Sequence, residues 1–128
     1  MNNVHLCFGQ QVSSILGIPN TDFNGDDGRT ILDCLTFVFE TNYLRVIPQA
    51  ETDEISIEVD NTDSLSSTSM IRIEQLEYLN GSKFSEYWEC KNSRGYFDQI
   101  LLGFQHLHPS ISILCEGSAL KVFSVIGV

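Results

Sequence analysis

Three groups of residues in this sequence have types and spacings that could do chemistry. The first is Asp22, Asn24 and Asp26, at alternate positions, with Asp33 eleven residues beyond Asp22. That is the spacing of oxygen ligands in a helix–loop–helix calcium loop. Such a loop needs glycine at its sixth position for a sharp turn, and Asp27 stands there. No flanking helices are legible, and Asp33 falls in a strand-like run. The segment reads as a polar turn-forming loop, and no metal is expected. The second group is His106 and His108, which would share one side of an extended segment. A zinc site needs a third and usually a fourth ligand. Cys115 is the nearby candidate and sits in an apolar run, so the histidines read as an exposed loop pair.

The third group lies in the stretch from Tyr87 to Phe104, Y-W-E-C-K-N-S-R-G-Y-F-D-Q-I-L-L-G-F, which holds the only tryptophan. It reads as a β-hairpin with a polar tip. Asn92, Ser93, Arg94 and Gly95 suit a type I turn, with Asn favoured first and Gly last. Gly95 would take the left-handed conformation and form the bulge of a three-residue loop. Asn92 would then oppose Tyr96, and the pairs below it would be Lys91 with Phe97, Cys90 with Asp98, Glu89 with Gln99, Trp88 with Ile100 and Tyr87 with Leu101. This register places Trp88, Cys90, Ile100, Leu102 and Phe104 on the core face. It also leaves Asp98 on that face, where an unpartnered acid costs on the order of 2–7 kcal/mol. Asp98 therefore reads either as a cap on the amides of the turn or as an acid facing a partner or substrate. Arg94 and Tyr96 are residue types enriched in interface hot spots. Arg94, Tyr96 and Asp98 are the candidate partner-binding residues. Lys83, Lys91 and Arg94 make a basic group that Glu86 and Glu89 dilute.

Other chemistry finds little support. Neither G-x-S-x-G nor S-x-x-K occurs, and neither phosphate-loop pattern, G-x-x-x-x-G-K-[ST] or G-x-G-x-x-G, is present. No catalytic residue and no cofactor is expected. Cys7, Cys34, Cys90 and Cys115 are far apart, without a C-x-x-C pair. All four read as reduced core thiols in a cytoplasmic protein.

The elements that position these residues follow the strand period of two. Strands are expected over residues 10–17, 31–40, 43–49, 54–60, 110–115 and 118–126, besides the hairpin. Residues 20–29 read as a loop, Thr41-Asn42 and Thr52-Asp53 as turns, and Pro48 as a residue at an edge or bulge. Residues 54–60 alternate most cleanly: Ile55, Ile57 and Val59 oppose Glu54, Ser56, Glu58 and Asp60. Residues 61–69 form a polar loop, and a short helical turn is expected over 74–79. Strand follows strand with no room for crossover helices, so the sheet should be antiparallel. The expected fold is mainly β: one domain over 1–128, a curved sheet or small barrel or sandwich of six to eight strands, with at most one or two short helices.

The chain has 128 residues, 42% of them apolar, and a net charge of −10 from 17 acids against 7 bases. A domain of this length buries enough surface to need no staple. The charge repels phosphate backbones, so nucleic acid is not an expected partner, and it favours a basic protein. No run approaches the ~18 apolar residues of a membrane span, and the start of the sequence lacks the pattern of a secretory signal. Two functions are compatible with this. One is a non-enzymatic cytoplasmic protein-binding module, most concretely a toxin-neutralising immunity-type protein. The other is a small-molecule-binding or enzymatic domain with a pocket between the curved sheet and the loop over 22–29.

The residues Trp88, Asn92, Gly95, Tyr96 and Asp98, preceded by the acidic strand over 54–60, resemble a family of small uncharacterised bacterial proteins with a W-x-L-x-N-x-x-G-Y-x-D core. Cys90 stands where that core has Leu. The resemblance spans about the last two-thirds of the chain. It implies neither activity nor cofactor.

Overall fold

The computed structural model of the chain describes residues 3–21, 30–66 and 69–125. Among these, nine strands form: β1 (Ser14–Pro19), β2 (Thr30–Val38), β3 (Asn42–Gln49), β4 (Glu54–Asn61), β5 (Ile71–Arg72), β6 (Phe84–Lys91), β7 (Phe97–Phe104), β8 (Ile111–Glu116) and β9 (Ala119–Ser124). Single 3₁₀ turns occupy Val4–Cys7, Thr62–Ser64 and Glu74–Leu79. The last matches the helical turn expected from the sequence. Seven strands lie in one hydrogen-bonded order, β4-β3-β2-β9-β8-β7-β6, with β1 beside β2 and β5 beside β1. All these pairs are antiparallel, and the sheet curls into a half-barrel.

β2 is the shared strand. Its first residues pair with β9, from Thr30 with Val122 to Leu32 with Leu120. Its last pair with β3, from Leu35 with Val46 to Val38 with Tyr43. Pairing with β3 thus ends before Pro48, whose missing N–H breaks no β2–β3 bond. Inside the curl, Leu35, Phe37, Leu44 and Val46 from one wing meet Ile100, Leu102, Ile111, Ile113 and Leu120 from the other, and all are buried. A chain of rings crosses between the wings. Phe37 lies 5.7 Å from Phe104, Phe104 lies 5.6 Å from Phe84, and Phe84 lies 5.6 Å from Phe39 and 5.0 Å from Phe8. These are the separations at which aromatic pairs add to simple burial.

β4 shows why its alternation was so clean. It is the end strand of the hydrogen-bonded order, with Ile55 buried and Glu58 and Asp60 exposed. Two expectations need correction. The first strand begins at Ser14, not at residue 10. Val12 instead exchanges backbone bonds with Ser82 and Gly81, and Gln11 bridges Lys83, so this segment is tied to the start of β6.

The hairpin also departs from its expected pairing. The expected register holds at both ends, with Lys91 opposite Phe97 and Phe84 opposite Phe104. Between them it is displaced by one: Cys90 pairs with Gln99, Glu89 with Ile100, Trp88 with Leu101, Tyr87 with Leu102 and Glu86 with Gly103. Asp98 is the extra residue at the tip end and Ser85 the extra residue at the other, so two bulges on opposite strands cancel. Paired residues share a face. Ile100 and Leu102 point into the core, and Tyr87 packs with them. Trp88 and Cys90 therefore sit with Leu101 and Gln99 on the outer face, each half-buried, and not in the core. The physical reason is Asp98. Left in the ladder it would be driven into the apolar face; as a bulge it leaves the ladder and stays half-exposed.

The ring chain makes Phe84, fully buried, the residue on which both wings lean. Phe84→Ala should lower the free energy of unfolding by about 3–5 kcal/mol, measured by urea denaturation. A loss below about 1 kcal/mol, the level typical of peripheral substitutions, would show that the wings hold together without it.

Candidate functional site

Three turns meet at one end of the half-barrel: those joining β3 to β4, β6 to β7 and β8 to β9. Asp53 and Ser118 both adopt positive φ, 56° and 63°. The Ser118 N–H donates to Asp53 Oδ1 at 2.8 Å, and the Ser118 hydroxyl donates to the Ala50 carbonyl at 3.3 Å. These bonds lock the β8–β9 turn onto the β3–β4 turn. The Phe97 N–H donates across the curl to Glu54 Oε2 at 3.1 Å, fixing the hairpin to β4.

The hairpin tip is organised by Asn92. Gly95, at φ 86°, donates its N–H to the Asn92 carbonyl at 2.9 Å, and Asn92 N–H donates to Tyr96 O at 2.9 Å. This is the type I turn with a glycine bulge that the sequence suggested. The Asn92 side-chain oxygen accepts from the amides of Arg94 at 2.8 Å and Tyr96 at 3.2 Å. Its Nδ2 donates to Asp98 Oδ2 at 3.2 Å. Asn92, rather than Asp98, caps the turn amides. Asp98 acts one bond further out and orients the amide that does so.

The three turns enclose an open cleft of about 340 Å³. Arg94, Tyr96 and Asp98 all line it, and so do Asp53, Cys115 and Glu116. Glu116 is ion-paired with Lys121. Cys115 is buried, and burial, with smaller contributions from the Asp53 and Asp98 carboxylates, pushes its thiol up to about 11. It stays protonated at neutral pH and is a poor nucleophile there. The Arg94 guanidinium and the Tyr96 hydroxyl make no hydrogen bond to the described residues, and both residues are exposed.

The other sequence candidates are dispersed. Asp22, Asn24, Asp26 and Asp27, and with them the loop proposed to close a pocket, lie outside the described residues. His106 and His108 stack at 5.0 Å and 9° on an exposed loop, and among the described residues no three His, Cys, Asp or Glu side chains are grouped to hold a metal. Lys83 sits at the opposite end of β6 from Lys91 and Arg94, so the three form no single patch. The four cysteines are free, and burial pushes Cys7 up to about 12. Asp53, a turn residue by its sequence, and Glu116 carry no local mark of a site. Their place in the cleft depends on which turns meet, and the local pattern carries no signal for that.

Fold and site together define an all-β half-barrel with an open, carboxylate-rich cleft at one end. No helix among the described residues is long and apolar enough to cross a membrane. The chain belongs to a family of unknown function (DUF6334), whose model matches residues 1–128. No curated protein and no solved structure matches it.

If Asn92 holds the tip, Asn92→Ala should destabilise the protein by about 1–2 kcal/mol, as lost side-chain caps do. Asp98→Ala, which removes a half-exposed bond to that cap, should cost less than about 1 kcal/mol. Urea unfolding of the two variants checks the order; a larger loss in Asp98→Ala would make the acid the structural element of the tip.

Proposed function

We propose that this protein is a non-enzymatic, cytoplasmic protein-binding module that takes a basic partner at the three-turn cleft, with Arg94, Tyr96 and Asp98 as contacts. A toxin-neutralising immunity-type protein is the concrete form of this reading. The observation that carries it is the division of labour at the tip. Backbone and Asn92 satisfy the turn internally, which leaves the Arg94 and Tyr96 side chains without hydrogen bonds to the described residues and open to a partner beside the carboxylates of Asp53, Asp98 and Glu116. Exposed aromatic and guanidinium groups on a bonded turn suit hot spots, and a chain of charge −10 attracts basic proteins and repels nucleic-acid backbones. The protonated Cys115 thiol lining the cleft favours binding over nucleophilic chemistry. Free cysteines suit a reducing compartment.

A second reading has one observation in its favour. The cleft volume falls within the ~300–1,000 Å³ of small-molecule pockets, with Asp98 among its convergent polar groups.

Affinity capture on the immobilised chain from native lysate of the source organism separates the two. The binding reading expects one stoichiometric basic protein, released near ~1 M salt, where the screening length falls to about 3 Å. It also expects that protein to be lost from Arg94→Ala and Tyr96→Ala at unchanged melting temperature. Equal retention by both variants would refute the site. A small ligand that survives purification, with no protein captured, would favour the pocket.

A further inference from the structure

We infer that the docking surface continues from the cleft across the outer face of the β6–β9 sheet, with Trp88 as its anchor against the basic protein partner; this rests on the binding reading above. The displaced hairpin register generates it. Trp88 pairs with Leu101, Leu101 with Ser112 and Ser112 with Phe123, so one outward row crosses four strands. The next row runs from Cys90 through Gln99 and Leu114 to Lys121. Leu114 also lines the cleft, which makes row and cleft one continuous surface.

An antiparallel sheet face that meets water ordinarily carries polar side chains. Here Trp88, Leu101 and Leu114 are half-buried, and Phe123 is 41% exposed. Two polar groups inside the patch are bonded to each other: Gln99 Nε2 donates to Ser112 Oγ at 2.7 Å. A partner covering the patch would keep that bond, which lowers the penalty for burying the two groups. Glu86 flanks Trp88 on the same face, over Gly103, and the ion-paired Glu116 and Lys121 lie at the cleft side. An aromatic and aliphatic centre within a charged rim is the anatomy of a protein interface, and tryptophan is among its commonest hot spots.

The occupant follows from charge. Two copies meeting face to face would each bring −10, and like charge of that size opposes self-association. A basic protein meets Glu86 at one side and the cleft carboxylates at the other.

The test uses the basic protein eluted by salt from the immobilised chain, titrated against Trp88→Ala, Phe123→Ala and Tyr96→Ala. Trp88→Ala and Phe123→Ala should each weaken binding about tenfold or more, a change of ~1.4 kcal/mol, at unchanged melting temperature. Should Trp88→Ala fail to fold, exposed Phe123→Ala decides. Full affinity in both outer-face variants, with loss in Tyr96→Ala, overturns the extension and leaves the cleft reading standing. Full affinity in all three, or no protein eluted, overturns both. A wild-type dimer in sedimentation that Phe123→Ala dissociates would show that a second copy covers the face and overturn the choice of occupant.

Discussion

One constraint organises the hairpin and through it the site: an aspartate that cannot stay in the ladder. In a continuous register Asp98 would enter the apolar face. Desolvating it there costs several kcal/mol, whereas a ladder bond lost at each of two bulges costs about 0.5–1.5 kcal/mol. The chain takes the cheaper course and bulges at Asp98, then restores the register with a second bulge at Ser85. The Ser85 hydroxyl donates to Gly103 O at 3.1 Å and His106 O at 2.7 Å, so that bulge has bonds of its own. Between the two bulges the β6 side chains change face relative to β7. Tyr87 turns to the core and Trp88 to the outside.

The rest of the half-barrel fixes where that hairpin points. β2 belongs to both wings, and the ring chain from Phe37 to Phe8 spans them. Glu54 and Asp53 then tie the remaining turns together through the Phe97 and Ser118 amides. The cleft is therefore a product of long-range closure. Its walls come from three turns separated in sequence, each held by side chains bonded to backbone rather than by packing. That leaves the exposed Arg94 and Tyr96 side chains without hydrogen bonds to the described residues.

Much of this was legible in the residues. The alternation from Glu54 to Asp60 marked a strand with one wet face. The Asn92 to Gly95 turn was readable because its chemistry is local, and so was the helical turn from Glu74 to Leu79. The three tip residues share the cleft as they share the hairpin. What was not legible is long-range. Asp53 and Glu116 join the site only because distant turns meet. A single register along the whole hairpin puts Trp88 in the core, and a bulge flips faces without altering the composition of either strand. The one local clue was Asp98 itself, an acid assigned to an apolar face, and a conflict of that kind is what a bulge relieves.

The most direct measurement is the fluorescence of the single tryptophan, which reads the register at its centre. With compensating bulges Trp88 lies on the outer face, half-buried, and a polar quencher such as acrylamide should reach it in the native state, with emission already shifted toward that of a solvated indole. Native emission of a fully buried indole, quenched only after the protein unfolds, would place Trp88 in the core and contradict the two-bulge hairpin.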